Sequence, residues 1–319
     1  LYVRGREMRF CQEFLLGVGG VRALRELRIQ PACWHMNEGH SVFLVVERLR
    51  ELMRDGLTWK DAVEAVRANT VFATHTPVPA GNETFDLGLL KPHLDALAAA
   101  GGVAADFAIF LGRAPGDTQG RELSMTILGL NCSVFNNGVA KLHGIVERDM
   151  WKHLWPAFPV DEVPIGHITN GIHVPTWIAT DNSILYSSVL GPDWDVKPMT
   201  ESQIDKIDHI RDEDLWRVHE ASRAHLVRTA RENLERAGMK RNASFEELAS
   251  LRNVLDKDAL TIGFARRFAT YKRPNLLLHD PDRVEALLCG DKSRVQLVLA
   301  GKAHPADTQR QEKLIRLSQ

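Results

Sequence analysis

Cysteine patterns that form disulfides or bind metals are absent from this sequence of 319 residues. The chain has four scattered cysteines and no CxxC pair: Cys11, Cys33, Cys132 and Cys289. A disulfide framework or a zinc site is therefore not expected. Scattered thiols are typical of proteins from the reducing cytosol, so we expect a cytoplasmic protein without a metal site.

Long apolar runs and an excess of charge of one sign are also absent. No run approaches the roughly 18 apolar residues that cross a bilayer, and no segment resembles a signal peptide. The 40 Lys and Arg residues nearly balance the 41 Asp and Glu residues, which gives a formal net charge of −1. This balance argues against wholesale binding to nucleic acid or to an anionic membrane, so any anion site must be local.

Positive charge is nevertheless concentrated in one segment, residues 260–275, which reads LTIGFARRFATYKRPN. Its alternating apolar residues favour a short buried strand, and Pro274 suits the first turn of a helix. Four cations lie between strand and helix: Arg266, Arg267, Lys272 and Arg273. Free N–H groups at a helix start and guanidinium groups both bind phosphate well. The segment predicts a phosphate site, and a solvated charged loop is the alternative that the residues leave open.

Polar side chains follow a second predicted strand, residues 33–36. Asn37, Glu38 and His40 come directly after it, ahead of an apolar helix. Together with His35 they do not match HExxH, and a strand-to-turn transition would scatter metal ligands. Such groups suit a hydroxyl-rich ligand because they offer both donors and acceptors. A capped helix start explains them equally well.

A third candidate is His75. A helix is predicted over residues 58–69, with Thr58 as its cap and Asp61 in the capping-box position. A strand over residues 70–73 follows, and His75 then lies in a loop that two prolines stiffen. A histidine held on a rigid loop at a strand end is a ligand candidate, although a lone histidine is more often structural.

Two glycine clusters predict turns. GVGG at residues 17–20 predicts a turn between two helices within residues 6–28, because no strand precedes it and the GxGxxG spacing is incomplete. Residues 136–138 predict a glycine turn after an apolar helix at about 125–134.

Residues 181–238 are predicted to be mostly helical. The alternation of strands and helices predicts an α/β architecture with parallel strands, in about two domains.

Six stretches together resemble the α-glucan (glycogen or maltodextrin) phosphorylases. They occur in that family's order and cover nearly the whole chain: HMNEGHSVF, VFATHTPVPAGNETF, FNNGVAKLHGIVERDMW, ITNGIHVPTWI, ARRFATYKRP and LVLAGKAHPAD. The resemblance implies a glycosyltransferase fold of the B type (GT-B), with two Rossmann-like domains and the active site in the cleft between them. The proportions resemble the shorter bacterial and archaeal branch.

The resemblance also implies that the chain is an internal fragment. Residues 1–168 would end the first, glucan-binding domain, and residues 169–255 would form the crossing and a helical segment. Residues 256–319 would begin the second domain, which holds the cofactor and phosphate.

The activity implied by the resemblance is phosphorolysis, in which inorganic phosphate releases α-glucose 1-phosphate from the non-reducing end of an α-1,4-glucan. Within the catalytic site, His75 would contact the glucose unit and Asn170 would bind a sugar hydroxyl. Glu38 and His40 would lie along the glucan path. A homo-oligomer is also implied, because the family is typically oligomeric.

The implied cofactor is pyridoxal 5'-phosphate, used through its phosphate group. Trp177 would pack beside the cofactor ring, and Arg266 would lie near the cofactor. Arg267 and Lys272 would bind the substrate phosphate and the cofactor phosphate. Two phosphate dianions repel each other, so several fixed cations suit such a site.

Two departures from the family's pattern stand out. Many members carry a histidine where this chain has Ala269, so that side chain's ligand contact is lost or replaced. The lysine that forms the Schiff base lies in a downstream motif resembling Gly-Thr-Gly-Asn-Met-Lys, which is absent from these 319 residues. We therefore expect the fragment alone to be inactive.

Two other functions remain open from the sequence. A nucleotide-sugar glucan synthase of the same fold is one, although its Lys-Gly-Gly loop and paired-glutamate motif are not found. A non-catalytic glucan-binding relative is the other. The phosphate-site cations argue against it, because sugar binding alone needs none of them.

Overall fold

The structure is a computed structural model that describes residues 5–77, 82–100, 105–117, 120–266, 272–273, 276, 279–290 and 295–301. The chain divides after Gly171 into two compact units. The roles expected for residues 1–168, 169–255 and 256–319 remain predictions.

The first unit consists of helices and short strands in alternation. Its helices are α1 (Arg6–Phe14), α2 (Gly20–Glu26), α3 (Phe43–Arg54), α4 (Trp59–Ala68), α5 (Leu87–Ala99), α6 (Ala105–Leu111), α7 (Met125–Asn131) and α8 (Lys141–Trp151). Its strands are β1 (Trp34–Asn37), β2 (Thr70–Thr74), β3 (Thr84–Asp86), β4 (Glu122–Ser124), β5 (Phe135–Gly138) and β6 (Gly166–His167). The predicted cap of α4 is confirmed, since Thr58 Oγ1 accepts a hydrogen bond from Asp61 N at 3.3 Å.

The main sheet of this unit is parallel, with the strand order β1-β2-β5-β6. Asn37 of β1 pairs with Ala73 of β2, and Ala73 also pairs with Asn137 of β5. Gly138 of β5 pairs with His167 of β6. The four carboxyl ends therefore lie at one edge, where open α/β sheets bind ligands. The predicted fold class, α/β with parallel strands, is confirmed.

The glycine turn predicted over residues 136–138 is wrong, because this segment is part of β5. Asparagine and glycine are disfavoured in strands, which is why the pattern suggested a turn. Here β5 pairs on both sides, and Asn136 and Asn137 are buried. Gly138 has a packing reason, since a Cβ there would lie 2.9 Å from the backbone nitrogen of Gly144 in α8. Tertiary pairing overrides local propensity at this strand.

The helix break predicted at GVGG is also wrong. A π-helical turn, Leu15–Gly19, joins α1 to α2 without an intervening loop. A Cβ on Gly17 would lie 2.7 Å from both Leu44 N and Phe43 Cβ of α3. Glycine at this position therefore allows two helices to approach each other closely. The π-helical turn itself is a rare element.

Aromatic rings form the centre of the core in the first unit. Phe10 of α1 packs against Phe43 of α3 and Phe85 of β3, with ring centroids 5.6 and 5.7 Å apart and steep interplanar angles. All three rings are at most 1% exposed. Tilted ring pairs of this kind contribute roughly 0.5–1.5 kcal/mol beyond their buried area. They fix α1 and α3 against β3.

The second unit is mainly helical and ends in a small parallel sheet. Its helices are α9 (Val174–Trp177), α10 (Thr180–Leu190), α11 (Glu201–Ile207), α12 (Asp212–Lys240), α13 (Phe245–Leu251) and α14 (Pro281–Cys289). Its strands are β7 (Leu260–Ala265) and β8 (Val295–Ala300). The helical prediction for residues 181–238 is confirmed. Across the described ranges of both units, none of the helices has the length and apolar character needed to span a bilayer.

The prediction of a strand at residue 260 is confirmed, but the expectation that it is buried is wrong. Leu260 is 61% exposed and Ile262 is 36% exposed. Within the described residues β7 pairs only with β8, in parallel. A sheet of two strands leaves faces open that a wider, doubly covered sheet would bury.

Candidate functional site

The predicted sugar-contacting residues of the first unit lie at the carboxyl edge of its parallel sheet. Glu38 directly follows β1, and His75 directly follows β2. Asn170 follows β6, and its backbone N–H donates to the carbonyl oxygen of Val139, one residue beyond β5, at 3.0 Å. The strand register thus brings Glu38, His75 and Asn170 to one edge. What they bind is still a prediction.

Glu38 makes its hydrogen bonds to the loop that carries His75. Its Oε1 accepts a short hydrogen bond from the backbone N–H of His75 and a second, of 3.0 Å, from the hydroxyl of Thr76. Its own backbone N–H donates to Ala73 at 2.9 Å. Glu38 has a φ of +61° and a ψ of −174°, a backbone conformation that is uncommon for a residue with a side chain. Its carboxylate therefore ties the end of β1 to the loop after β2.

His40 belongs to an ionic cluster. Its Nδ1 lies 2.8 Å from Arg9 Nη2 and 3.4 Å from Glu13 Oε1. Arg9 also pairs with Glu13 at 2.8 Å and with Glu83 at 3.2 Å. Glu13 is fully buried, so its charge requires these partners. His40 helps to hold α1 against the turn after β1, and its predicted place along the glucan path stays untested.

Sequence reasoning missed a buried pair behind this edge, His143 and Glu147 of α8. Glu147 is 1% exposed, and its Oε2 accepts a hydrogen bond of 2.9 Å from Trp151 Nε1. His143 Nδ1 accepts from the backbone N–H of Val139 at 3.1 Å. His143 Nε2 lies 3.0 Å from Glu147 Oε1. The angles at this contact are not those of a hydrogen bond, and neither atom makes one to another described residue. The pair supports the strand end that also holds Asn170.

Burial controls the protonation of both members of this pair. Burial is the main cause that raises the pKa of Glu147 from 4.5 to about 7, and the nearby charge of Glu38 acts in the same direction. The hydroxyl of Thr74 and the indole of Trp151 oppose that rise. Burial also lowers the pKa of His143. An acceptor role for His143 Nδ1 agrees with a neutral ring that carries its proton on Nε2.

A weak signal for this pair exists in the sequence. His143 and Glu147 stand four residues apart, and residues so spaced share one face of a helix. Their burial, however, depends on strands that lie elsewhere in the chain. The spacing alone is equally typical of an exposed helix.

The second unit carries the predicted phosphate-binding cations. Arg266 directly follows β7 and is exposed, while Lys272 is half-buried and Arg273 is exposed. Ala265 pairs with Ala300, so Arg266 and Gly301 leave adjacent parallel strands at the same edge. Arg267 lies outside the described residues. Trp177, at the end of α9, is 79% exposed.

The donor set at this edge fits a phosphate-bearing cofactor. The guanidinium of Arg266 can bind two phosphate oxygens at once. Gly301 has no side chain that would keep an anion away from its backbone. Among the described residues no group of three or more His, Cys, Asp and Glu side chains is arranged to hold a metal ion.

The chain is similar to several curated proteins over almost its whole length. It is 40% identical over 319 residues to the glycogen phosphorylase of Mycobacterium tuberculosis, an alignment that covers 96% of this chain and 36% of that protein. It is 38% identical over 311 residues to the maltodextrin phosphorylase of Thermococcus litoralis, with the same two shares. It is 34% identical over 307 residues to the glycogen phosphorylase of Aquifex aeolicus, which covers 96% of the chain and 44% of that protein.

The chain spans less than half of the length of each of these relatives, 36% to 44%. No protein-family model matches the chain.

Proposed function

Because the chain belongs to the family of glycogen and maltodextrin phosphorylases, we propose that the protein it represents is an α-1,4-glucan phosphorylase. It removes the terminal glucose unit at the non-reducing end of glycogen or maltodextrin and transfers it to inorganic phosphate. The observation that carries the proposal is the likeness to these enzymes along nearly the whole chain. The product is α-glucose 1-phosphate, with the anomeric configuration retained.

The sugar is proposed to bind at the carboxyl edge of the sheet in the first unit. His75 is suited to a sugar hydroxyl because imidazole can both donate and accept a hydrogen bond. Asn170 offers an amide with the same double capacity. Glu38 holds the loop of His75 through its hydrogen bond to the backbone of that residue. Hydrogen-bonding side chains held at fixed strand ends can orient a sugar, which carries no net charge.

Phosphate is proposed to bind at the cation-rich edge of the second unit. Arg266 leaves β7 beside the end of β8. Arg267 and Lys272 follow it in the sequence, and these cations offset the repulsion between two phosphate groups. A guanidinium can bind two phosphate oxygens at once, which orients as well as neutralises. An attacking phosphate must be oriented, because its oxygen forms the new bond to the sugar while the glycosidic bond breaks.

Pyridoxal 5'-phosphate is the cofactor proposed for the complete enzyme. Arg266 and Lys272 would hold its phosphate, and Trp177 would pack beside its ring. When bound, the cofactor would supply a phosphate group able to exchange a proton with the substrate phosphate. The residues of this chain would bind and orient both anions and exclude water from them.

Measurement of glucose 1-phosphate release from maltodextrin by the complete protein tests this function, with phosphate as the varied substrate. Phosphate-dependent release is expected. A synthase would instead require a sugar nucleotide, and a binding protein would show no turnover. Either of those results would replace the phosphorylase proposal.

A further inference from the structure

Glu38 has an unusual backbone conformation for a residue other than glycine. Its φ of +61° and ψ of −174° lie in a region that glycine populates almost alone and that residues with a Cβ rarely adopt. Such a conformation persists where the surroundings fix it, and it occurs often at functional sites. The next residue, Gly39, packs closely against α7, since a Cβ there would lie 2.9 Å from Met125 Cβ.

The side chain of Glu38 has a defined target. Its Oε1 accepts from the backbone N–H of His75 and, at 3.0 Å, from Thr76 Oγ1. Both donors belong to the first two residues after β2, and the carboxylate reaches them from the end of the neighbouring strand. Glu38 thus fixes the position from which the His75 side chain projects.

We propose that Glu38 is a positioning residue for His75, and that it acts on the sugar reaction through that histidine by accepting the backbone N–H of His75 and the hydroxyl of Thr76. This assignment rests on the proposed function and makes it more specific. In this role Glu38 does not contact the glucan directly. It must supply an acceptor oxygen at Oε1, and its negative charge is secondary. A displacement of about 1 Å in a substrate-orienting group can cost on the order of a hundredfold in rate.

The variants follow from that distinction. Glu38→Gln keeps an acceptor oxygen at the same distance from the backbone and removes the charge. Glu38→Ala removes the acceptor. Thr76→Val removes one donor and keeps the shape of the side chain, so it is the matched partner variant. Since Gln and Val preserve side-chain size, these two variants remain informative even where the alanine variant fails to fold.

Steady-state release of glucose 1-phosphate by the complete enzyme gives the first reading. We expect Glu38→Ala to lose about ten- to a hundredfold in kcat/KM for maltodextrin, and Thr76→Val to lose less. We expect Glu38→Gln to stay within about threefold of the parent. Glu38→Ala added to His75→Ala should cost little more than His75→Ala alone, because the positioned group is then already absent.

Backbone hydrogen exchange gives the second reading, and it requires no turnover. The peptide that covers His75 and Thr76 should exchange at least tenfold faster in Glu38→Ala than in the parent, while Glu38→Gln should restore protection. A parent enzyme without activity would overturn the proposed function, and the exchange measurement would still test the positioning.

Three results would overturn the inference. One is additive losses for Glu38→Ala and His75→Ala. The second is a glutamine variant as impaired as the alanine variant, which would make the charge itself the important property. The third is unchanged exchange at residues 75 and 76 in Glu38→Ala.

Discussion

At the scale of single residues, His75 is the side chain that most directly tests the sugar site. If it binds a sugar hydroxyl, His75→Ala will weaken catalysis with glucan and leave the content of pyridoxal phosphate unchanged. A neutral hydrogen bond contributes about 0.5–1.5 kcal/mol, and more where it strengthens in the transition state. Kinetics with maltodextrin and a cofactor assay on the purified enzyme check this expectation. Loss of cofactor or of folding would indicate a structural role.

Arg267 offers the contrasting test at the phosphate site, although it lies outside the described residues. Arg267→Ala should raise the KM for phosphate far more than the KM for glucan. A charge-assisted contact contributes about 1.5–3 kcal/mol, so a loss of about ten- to a hundredfold in efficiency at limiting phosphate is expected. Arg267→Lys should recover only part of the lost efficiency at limiting phosphate, since an ammonium cannot bind two oxygens as a guanidinium does. Equal effects on both substrates would favour a solvated loop.

Glu147 should make stability depend on pH in the direction opposite to that of most carboxylates. Its pKa is raised by burial from 4.5 to about 7, so folding favours the protonated form. The stability that this group contributes is fully present below about pH 4.5 and is lost as the pH rises through 7. The difference across that window is on the order of 3 kcal/mol.

Glu147→Gln tests this dependence, because its side chain keeps the shape of the glutamate and cannot ionise. Unfolding by urea between pH 5 and 8 should show the parent losing stability relative to the glutamine variant as the pH rises. Glu38 and His143 are the ionisable neighbours of Glu147, and both remain in the variant, so the comparison isolates the substitution at position 147. Parallel curves for the two proteins would mean that Glu147 is ionised throughout.

The site residues differ in how far sequence could foresee them, for a physical reason. Glu38 and His75 each directly follow a strand whose apolar pattern is local, so their place at an edge could be predicted. The hydrogen bond between them could not, because it depends on the register of β1 against β2. Glu147 was missed because its burial arises from packing between α8 and the sheet.

At the scale of elements, the two wrong predictions of glycine turns, at residues 17–20 and 136–138, share one cause. Glycine permits turns, and it also permits close approach of backbones, and local sequence does not separate these uses. Gly17 lies against α3, and Gly138 ends a strand against α8. The distant partner in each case determines which use applies. Elements with a strong local signal, such as the capped α4, were predicted well.

Gly17 and Gly20 form a matched pair that tests this explanation. Gly17→Ala should destabilise the complete protein by about 1–3 kcal/mol, because its Cβ would meet the backbone of α3 at 2.7 Å. Gly20→Ala, a few residues later in α2, has nothing within 4 Å of its Cβ. It should be neutral or stabilising by up to about 1 kcal/mol, since alanine favours helix. Urea unfolding of both variants gives the comparison, and similar losses at both positions would contradict the packing explanation.

At the scale of the whole molecule, parallel pairing and the alternation of strands with helices were predictable from the sequence. The strands β2, β7 and β8 are short apolar runs followed by a polar or glycine residue, which is typical of α/β proteins. Burial in the second unit was not predictable, because the apolar pattern of β7 is the same whether or not another layer covers it. Leu260 carries such a pattern and is 61% exposed.

The proposed cofactor leads to a prediction about these 319 residues as a separate polypeptide. The cations of the second unit suit a phosphate group, but no segment of this sequence resembles the glycine-rich loop that carries the attachment lysine in the family. Residues 1–319 expressed alone should therefore show no phosphorylase activity and no absorbance from covalently held pyridoxal phosphate. The measurement is a visible spectrum before and after borohydride reduction, followed by mass spectrometry of the reduced chain. The complete enzyme treated in the same way is the positive control. A pyridoxyl group fixed to a lysine of this chain, together with turnover, would show that a different lysine attaches the cofactor.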